Sequence, residues 1–293
     1  MMQFSDSHCH LDFPEFQHLL PQLLEQCHQH NINRIIVPAV EPQHWQRVIS
    51  LATNAHQSQV AISPCIGIHP WFFIPQNNVQ SNEPSNKSIN SKSLHAFDVS
   101  FHEQQLKQVI KKYSTEIVAI GECGIDVFKA KKNTENEQDL NENINLQQAY
   151  FEMQLDIAKQ NDLPIIVHHC QSHHLIMPLL KKYQLNKAGV IHAFSGSYQQ
   201  AKTYVDLGFK LGIGGTITYP RSKKTINAAK RLPLTSLLLE TDAPAMPPLG
   251  QQGRSNTPLN ILAVFSALNA IRDEAPEEIA LQIENNIKQL FFS

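Results

Sequence analysis

Residues Leu163–Cys170 read LPIIVHHC, an apolar, β-branched run that starts at a proline and ends on two histidines. A run so short and so apolar reads as a strand buried on both faces, Pro164–His168. Such a strand has no structural need for an imidazole at its tip. The same form recurs along the chain. Gln3–Asp6 leads into His8 and His10, and Val60–Gly67 leads into His69. Ile117–Glu122 ends on a carboxylate, Gly189–Ala193 carries His192 near its end, and Ser236–Thr241 runs into Asp242. Arg34–Ala39 and Phe209–Ile213 complete eight strands.

Helical patterns separate these strands. Pro14 to His30 places Phe16, Leu19, Leu20, Leu23, Leu24 and Cys27 on one face. Further helices are read over Pro42–Asn54, His102–Tyr113, Leu146–Asn161, a segment after Ser172, Tyr198–Leu207 and Lys223–Arg231. Two more close the chain, Pro258–Ile271 and Pro276–Phe291. Strands alternating with helices imply parallel pairing, because each crossover needs a helix. Eight such units within 293 residues fit a closed (β/α)8 TIM barrel, one α/β domain spanning 1–293. An open doubly wound sheet would carry a glycine-rich phosphate loop after its first strand, and none is present. The units are not self-similar, which excludes a solenoid. Two polar stretches, 75–100 and 128–145, read as insertions. The second, KAKKNTENEQDLNEN, reads as a solvated loop or as a flap hung from a strand end.

Bulk composition narrows the function classes. Hydrophobic residues make up 42% and charged residues 17%, enough for a large core. A net charge of −2 is not that of a protein coating duplex DNA. The five cysteines are scattered, odd in number and without a CxxC pair, so reduced thiols in the cytoplasm are expected. The N-terminus lacks a signal-peptide pattern, and no apolar run approaches a membrane span. No obligate protein partner is evident.

In a barrel, all C-terminal strand ends meet at one rim, where active sites are built. His8 and His10, two apart in an extended segment, point the same way and can grip one cation. Glu122, His168, His192 and Asp242 come to the same rim. Histidine with carboxylate and no thiolate suits Zn2+, Mn2+ or Mg2+. Six side chains exceed what one catalytic cation needs and suffice for two if one carboxylate is shared. Glu122, on the fourth strand between the two histidine sets, is the choice for the bridge. Two cations so held can clamp both oxygens of a displacement at phosphorus.

Seven ordered blocks, FSDSHCHLD, GIHP, AIGECGID, LPIIVHHC, IHAFSGS, GGTITYP and LLLETDAP, resemble the signatures of the TatD-type metal-dependent deoxyribonucleases, a family of the amidohydrolase-like barrels. The wording of the last two is most similar to the YjjV-like branch. The resemblance implies a hydrolase of nucleic-acid phosphodiesters, a 3′-to-5′ exonuclease-like DNase or RNase acting on single-stranded DNA or RNA ends. It implies that His8, His10, Glu122 and Asp242 hold one divalent metal ion, and Glu122, His168 and His192 a second. Asp242 would take the proton of the attacking water, with Glu122 as the second catalytic group. His69, Thr216 and Asn256 fall in matching blocks as substrate-binding candidates, with Asp126 and Gly215 beside them. One departure stands out: the family arginine two residues after the fifth-strand histidine is Cys170 here, with His169, His173 or Lys223 as stand-ins. The competing readings are a metal-dependent amidohydrolase or esterase, including one hydrolysing aminoacyl esters of tRNA, and a non-catalytic barrel.

Overall fold

Ile35, Ile36, Val37, Ile66, Ile120, Ile165, Ile166 and Leu238 are all buried, so these strands have no face to offer water. The computed structural model describes residues 2–55, 58–73 and 98–293. The strands are β1 Phe4–Asp6, β2 Ile32–Pro38, β3 Ala61–Ile66, β4 Ala119–Asp126, β5 Ile165–Cys170, β6 Gly189–Ile191, β7 Lys210–Ile213 and β8 Leu237–Leu239. They pair in parallel in sequence order, each with the next. The helices are α1 Leu20–Gln29, α2 Pro42–Asn54, α3 Val99–Lys112, α4 Val127–Asn133, α5 Glu137–Gln160, α6 His173–Tyr183, α7 Tyr198–Val205, α8 Lys223–Arg231, α9 Ile261–Asn269 and α10 Pro276–Phe291. This is the expected barrel.

Closure occurs just beyond the first and last strands. Cys9 bridges Ala243 in parallel. The Ser7 N–H donates to Leu239 O at 3.0 Å, Asp242 N–H to His8 O at 2.9 Å, and His10 N–H to Ala243 O at 2.8 Å. The seam of the barrel is therefore made of the segments that carry His8, His10 and Asp242.

The fourth strand differs from the expected Ile117–Glu122. It starts at Ala119 and runs on to Asp126, so Glu122 lies inside it. Between Ile120 and Cys123 it advances three residues while β5 advances two, Ile165 to Val167. The extra residue is a bulge at Gly121-Glu122, a device that re-aims a side chain at a sheet's functional edge. Gly124 follows with φ +147°, and a Cβ there would sit 2.0 Å from His168 O. Only glycine lets β4 lie against β5 at that point.

Two helical expectations are corrected. Residues 14–30 are not one helix: a 3-10 turn covers Pro14–Phe16, and α1 begins at Leu20 with a proline in its first turn. Pro21 has no N–H to continue a helix from upstream but suits a helix start. Leu19, expected on the buried face, is 55% exposed. The stretch 128–145 is no loop but α4 and the first turns of α5. Asp126 caps α4 by accepting from Lys129 N–H, and Asn136 caps α5 by accepting from Asp139 N–H. Its many polar residues mislead because nearly all of them lie on solvent-facing helix surface, with Asn143 alone buried. Asn143, Gln147 and Gln154 form an inward stripe on α5. The stretch 75–100 lies outside the described residues except for its last three, where Asp98 caps α3.

Candidate metal centre

Backbone geometry delivers the candidate ligands. β1 ends at Asp6 and the seam turns His8 and His10 inward, while the bulge in β4 turns Glu122 toward them. Gly124 pairs with His168, and His192 N–H donates to Val167 O at 3.0 Å. All six expected side chains meet. His8 Nε2 lies 3.2 Å from His10 Nε2 and 3.1 Å from Glu122 Oε2. His10 Nε2 lies 3.4 Å from Glu122 Oε2 and 3.5 Å from Asp242 Oδ1. On the carboxylate's other side, Glu122 Oε1 is 2.9 Å from His168 Nδ1 and 3.5 Å from His192 Nε2.

These spacings fit a cation. Tetrahedral bonds of about 2.0–2.1 Å place neighbouring donor atoms roughly 3.3 Å apart. The tautomers agree, because the partner on one ring nitrogen decides what the other offers. His10 Nδ1 is 3.1 Å from Pro38 O, His192 Nδ1 3.0 Å from Glu240 Oε1, and His168 Nε2 3.1 Å from Asp126 Oδ2. His10 Nδ1 and His168 Nε2 hydrogen-bond to their acceptors and so carry the proton, which leaves a lone pair on the nitrogen aimed at the centre, while His192 Nδ1 faces the Glu240 carboxylate without completing a hydrogen bond.

His69 is built the other way. Its Nε2 is 3.2 Å from Glu122 Oε1, close enough to group with Glu122 and His168 as a ligand set. But its Nδ1 accepts the Trp71 N–H at 3.1 Å. A neutral imidazole accepting at one nitrogen donates at the other. His69 therefore donates to Glu122 and orients it.

Protonation follows from burial and neighbours. Burial pulls the His69 imidazole down to about 4, keeping it neutral. Burial also pushes the Glu122 carboxyl up, yet the imidazoles of His69, His192 and His8 hold it well below the usual carboxylate range. Asp242 behaves alike: burial raises it, and His192, His10 and His8 lower it further. For His10 and His168, burial lowers the pKa but hydrogen bonds to the carboxylates raise it more. Protons and a divalent cation compete for the same atoms.

Several residues that matter here were not singled out by sequence. Glu240, 1% exposed, accepts the Ala193 N–H at 2.6 Å as well as facing His192. A Cβ on Gly212 would sit 1.9 Å from Glu240 Oε2, so the space for that carboxylate is left by a glycine. The signal was present in LLLETD, where a second acid ends an apolar strand. Asp6 accepts from His8 N–H, Thr241 N–H and Thr241 Oγ1 at 3.1, 3.0 and 2.5 Å, latching the two edges of the seam. Burial pushes its carboxyl up to about 8 against those hydrogen bonds. Trp71, half exposed, donates its indole N–H to Asp126 Oδ2 at 2.7 Å and sets its ring against His69.

The remaining candidates separate. Thr216 lies in a half-buried 3-10 turn directly after β7, and Gly215 is buried beside it. Asn256 is 1% exposed, and its amide donates to Thr241 O and Ala245 O at 2.8 Å each and accepts from Thr257 N–H and Asn260 Nδ2. Those bonds brace the loop bearing Asp242. His169 faces Ser172 Oγ at 3.2 Å and His173 faces Tyr204 OH at 2.9 Å, so both are engaged away from the centre.

Known proteins are similar to this chain in sequence and in architecture. A family model described as TatD related DNase matches residues 5–292. The metal-dependent hydrolase YjjV of Escherichia coli (strain K12) is 38% identical over 289 residues, 99% of this chain and 98% of its own. Its crystal structure superposes with a TM-score of 0.82 at 37% identity, covering 99% of this chain and 98% of that one. The deoxyribonuclease TATDN3 of Homo sapiens is 27% identical over 286 residues, 98% of this chain and 93% of its own.

Proposed function

This chain belongs to the TatD-related DNase family and is a metal-dependent hydrolase, and from that premise we propose that it cleaves phosphodiester bonds at single-stranded ends of DNA or RNA, in the 3′-to-5′ sense, with two divalent cations. The observation that carries this reading is the division of Glu122. One carboxylate oxygen faces His8 and His10, and the other faces His168 and His192. In this reading Asp242 completes the first set and Glu122 is common to both. Mg2+, Mn2+ or Zn2+ fits the nitrogen and oxygen donors. Such cations, when bound, would acidify water and neutralise charge building on the phosphate oxygens.

The chain's own groups then have distinct tasks. Asp242 is held ionised by three imidazoles, and its side chain is 13% exposed, against 2% for Glu122. It is the acid within reach of solvent and takes the proton from the attacking water. Glu122 holds the two ligand sets in register, with His69 donating to it. Thr216, at the mouth of the barrel after β7, is the substrate-contact candidate. All six ligand side chains come from one chain, so the centre needs no partner subunit. The unpaired cysteines favour a reducing, cytoplasmic setting.

One observation favours a second reading. Cys170, half-buried beside Asp126, puts a thiol where a cation would pair with phosphate. A carbonyl ester or amide, including an aminoacyl ester of tRNA, needs no such cation. The experiment runs single-stranded oligonucleotides, esters and amides side by side across Mg2+, Mn2+ and Zn2+. Oligonucleotide cleavage that needs added cation and falls at least about 100-fold in Glu122→Gln supports the proposal. Cleavage undiminished in a chelator, or turnover confined to esters and amides, defeats it.

A further inference from the structure

Off the metal centre, between the loops after β6 and β7, lies an open cleft of about 470 Å³. Its walls carry Arg221, Lys223 and Lys224 with the hydroxyl residues Ser195, Ser222 and Thr225. No acidic side chain lines it. Among the described residues, none of the three cations is ion-paired; Arg221 only lies over the Tyr219 ring at 4.8 Å. Thr225 is 3% exposed and still has no hydrogen-bond partner for its hydroxyl among the described residues. Other helical threonines here, such as Thr53 and Thr203, bond back to their own helix. The cleft also receives the first turn of α8, whose N-cap Ser222 makes no side-chain cap. Free N–H groups and the helix dipole there favour an anion.

Charge, unpartnered hydroxyls and a helix start thus converge on one concave surface, in a chain whose net charge is only −2. The cleft stands on the same rim as the metal centre, since Ser195 follows His192 by three residues and Thr225 follows the loop after β7. We propose that it is a second phosphate site, holding a backbone phosphate of the single strand away from the bond being cut. This rests on the phosphodiesterase reading and deepens it. A substrate with only one phosphate cannot use the cleft, so it selects oligonucleotides over small diesters and fixes the direction in which the strand lies. It also supplies, at a different place, the positive charge missing at Cys170.

The test compares wild type with R221A/K223A/K224A, all exposed positions, on a single-stranded hexadeoxynucleotide and on bis(p-nitrophenyl) phosphate. The hexamer KM should rise about tenfold with little change in kcat. The ratio of kcat/KM for hexamer over small diester should fall about tenfold. The slope of log KM against log salt should shrink by about 0.7, the share of a single neutralised phosphate on a single strand. An equal loss on both substrates, or no loss on either, overturns the proposal. Should neither substrate turn over with any cation, the activity reading fails by itself. The cleft is then judged by fluorescence anisotropy of the labelled hexamer. Weaker and less salt-sensitive binding in the variant upholds it, and unchanged binding overturns it.

Discussion

A buried imidazole can offer a lone pair or a proton according to what touches its far nitrogen, and the histidines around Glu122 include both arrangements. His10 and His168 each turn a protonated nitrogen to a hydrogen-bond acceptor and His192 turns Nδ1 to a carboxylate, whereas His69 accepts a backbone N–H. Glu240→Gln should weaken cation binding about 10–100-fold in a calorimetric titration, because His192 loses the carboxylate that fixes its tautomer. Wild-type affinity would end that role. His69→Asn should keep the cation stoichiometry measured by metal analysis while slowing turnover about tenfold. Loss of one cation per chain would make His69 a ligand instead. The six side chains that meet at the centre were legible in the sequence, as polar residues at or near the ends of apolar runs. Tautomer was not, since Pro38, Asp126 and Glu240 meet these rings only on folding.

Elements position these residues through polar groups that a sequence reading takes for solvent-facing. On α5, Gln154 accepts the Ile68 N–H at 2.7 Å and donates to Ile68 O at 3.1 Å, tying down the residue before His69. Gln147 accepts the Asp126 N–H at 2.8 Å, and Asn143 donates to Phe73 O at 2.8 Å. The helix thus reads the backbone at the ends of β3 and β4. Gln154→Leu would leave both backbone groups of Ile68 unpaired and buried, at a cost of about 2–4 kcal/mol. A lowered urea midpoint with an unchanged m-value checks this, and wild-type stability would show that water or a shifted loop replaces the glutamine. Helix starts such as Pro42 and Pro276 were readable from proline alone. The reach of α5 back to Glu137 was not, because a helix start that is polar and solvent-facing all round has the composition of a loop.

At the scale of the molecule, the barrel closes through the same segments that carry His8, His10 and Asp242. Cation binding and closure would therefore be coupled, because a cation held by His8, His10 and Asp242, as proposed above, would join the two sides of the seam. Removing it should lower the melting temperature. At a free cation concentration of about 100 Kd, one site contributes roughly 2.7 kcal/mol. A chelator should depress Tm by several degrees, and Glu122→Gln should remove most of the difference between chelated and loaded protein. Equal melting curves with and without chelator in the wild-type chain would separate the centre from the seam.

The sequence by itself determined the barrel and the residue types that gather at its rim. Eight buried runs alternating with helices allow little else, and a polar residue at the end of an apolar strand must answer to something other than packing. Tertiary structure decided how Glu122 comes to face both histidine sets, since a one-residue bulge in β4 aims it and no local propensity encodes a bulge set by a neighbouring strand's register. It alone decided that His69 donates, that Asn256 braces, and that Arg221, Lys223, Lys224 and Thr225 face one cleft. Those properties depend on which groups meet across the fold, and distance along the chain does not carry that information.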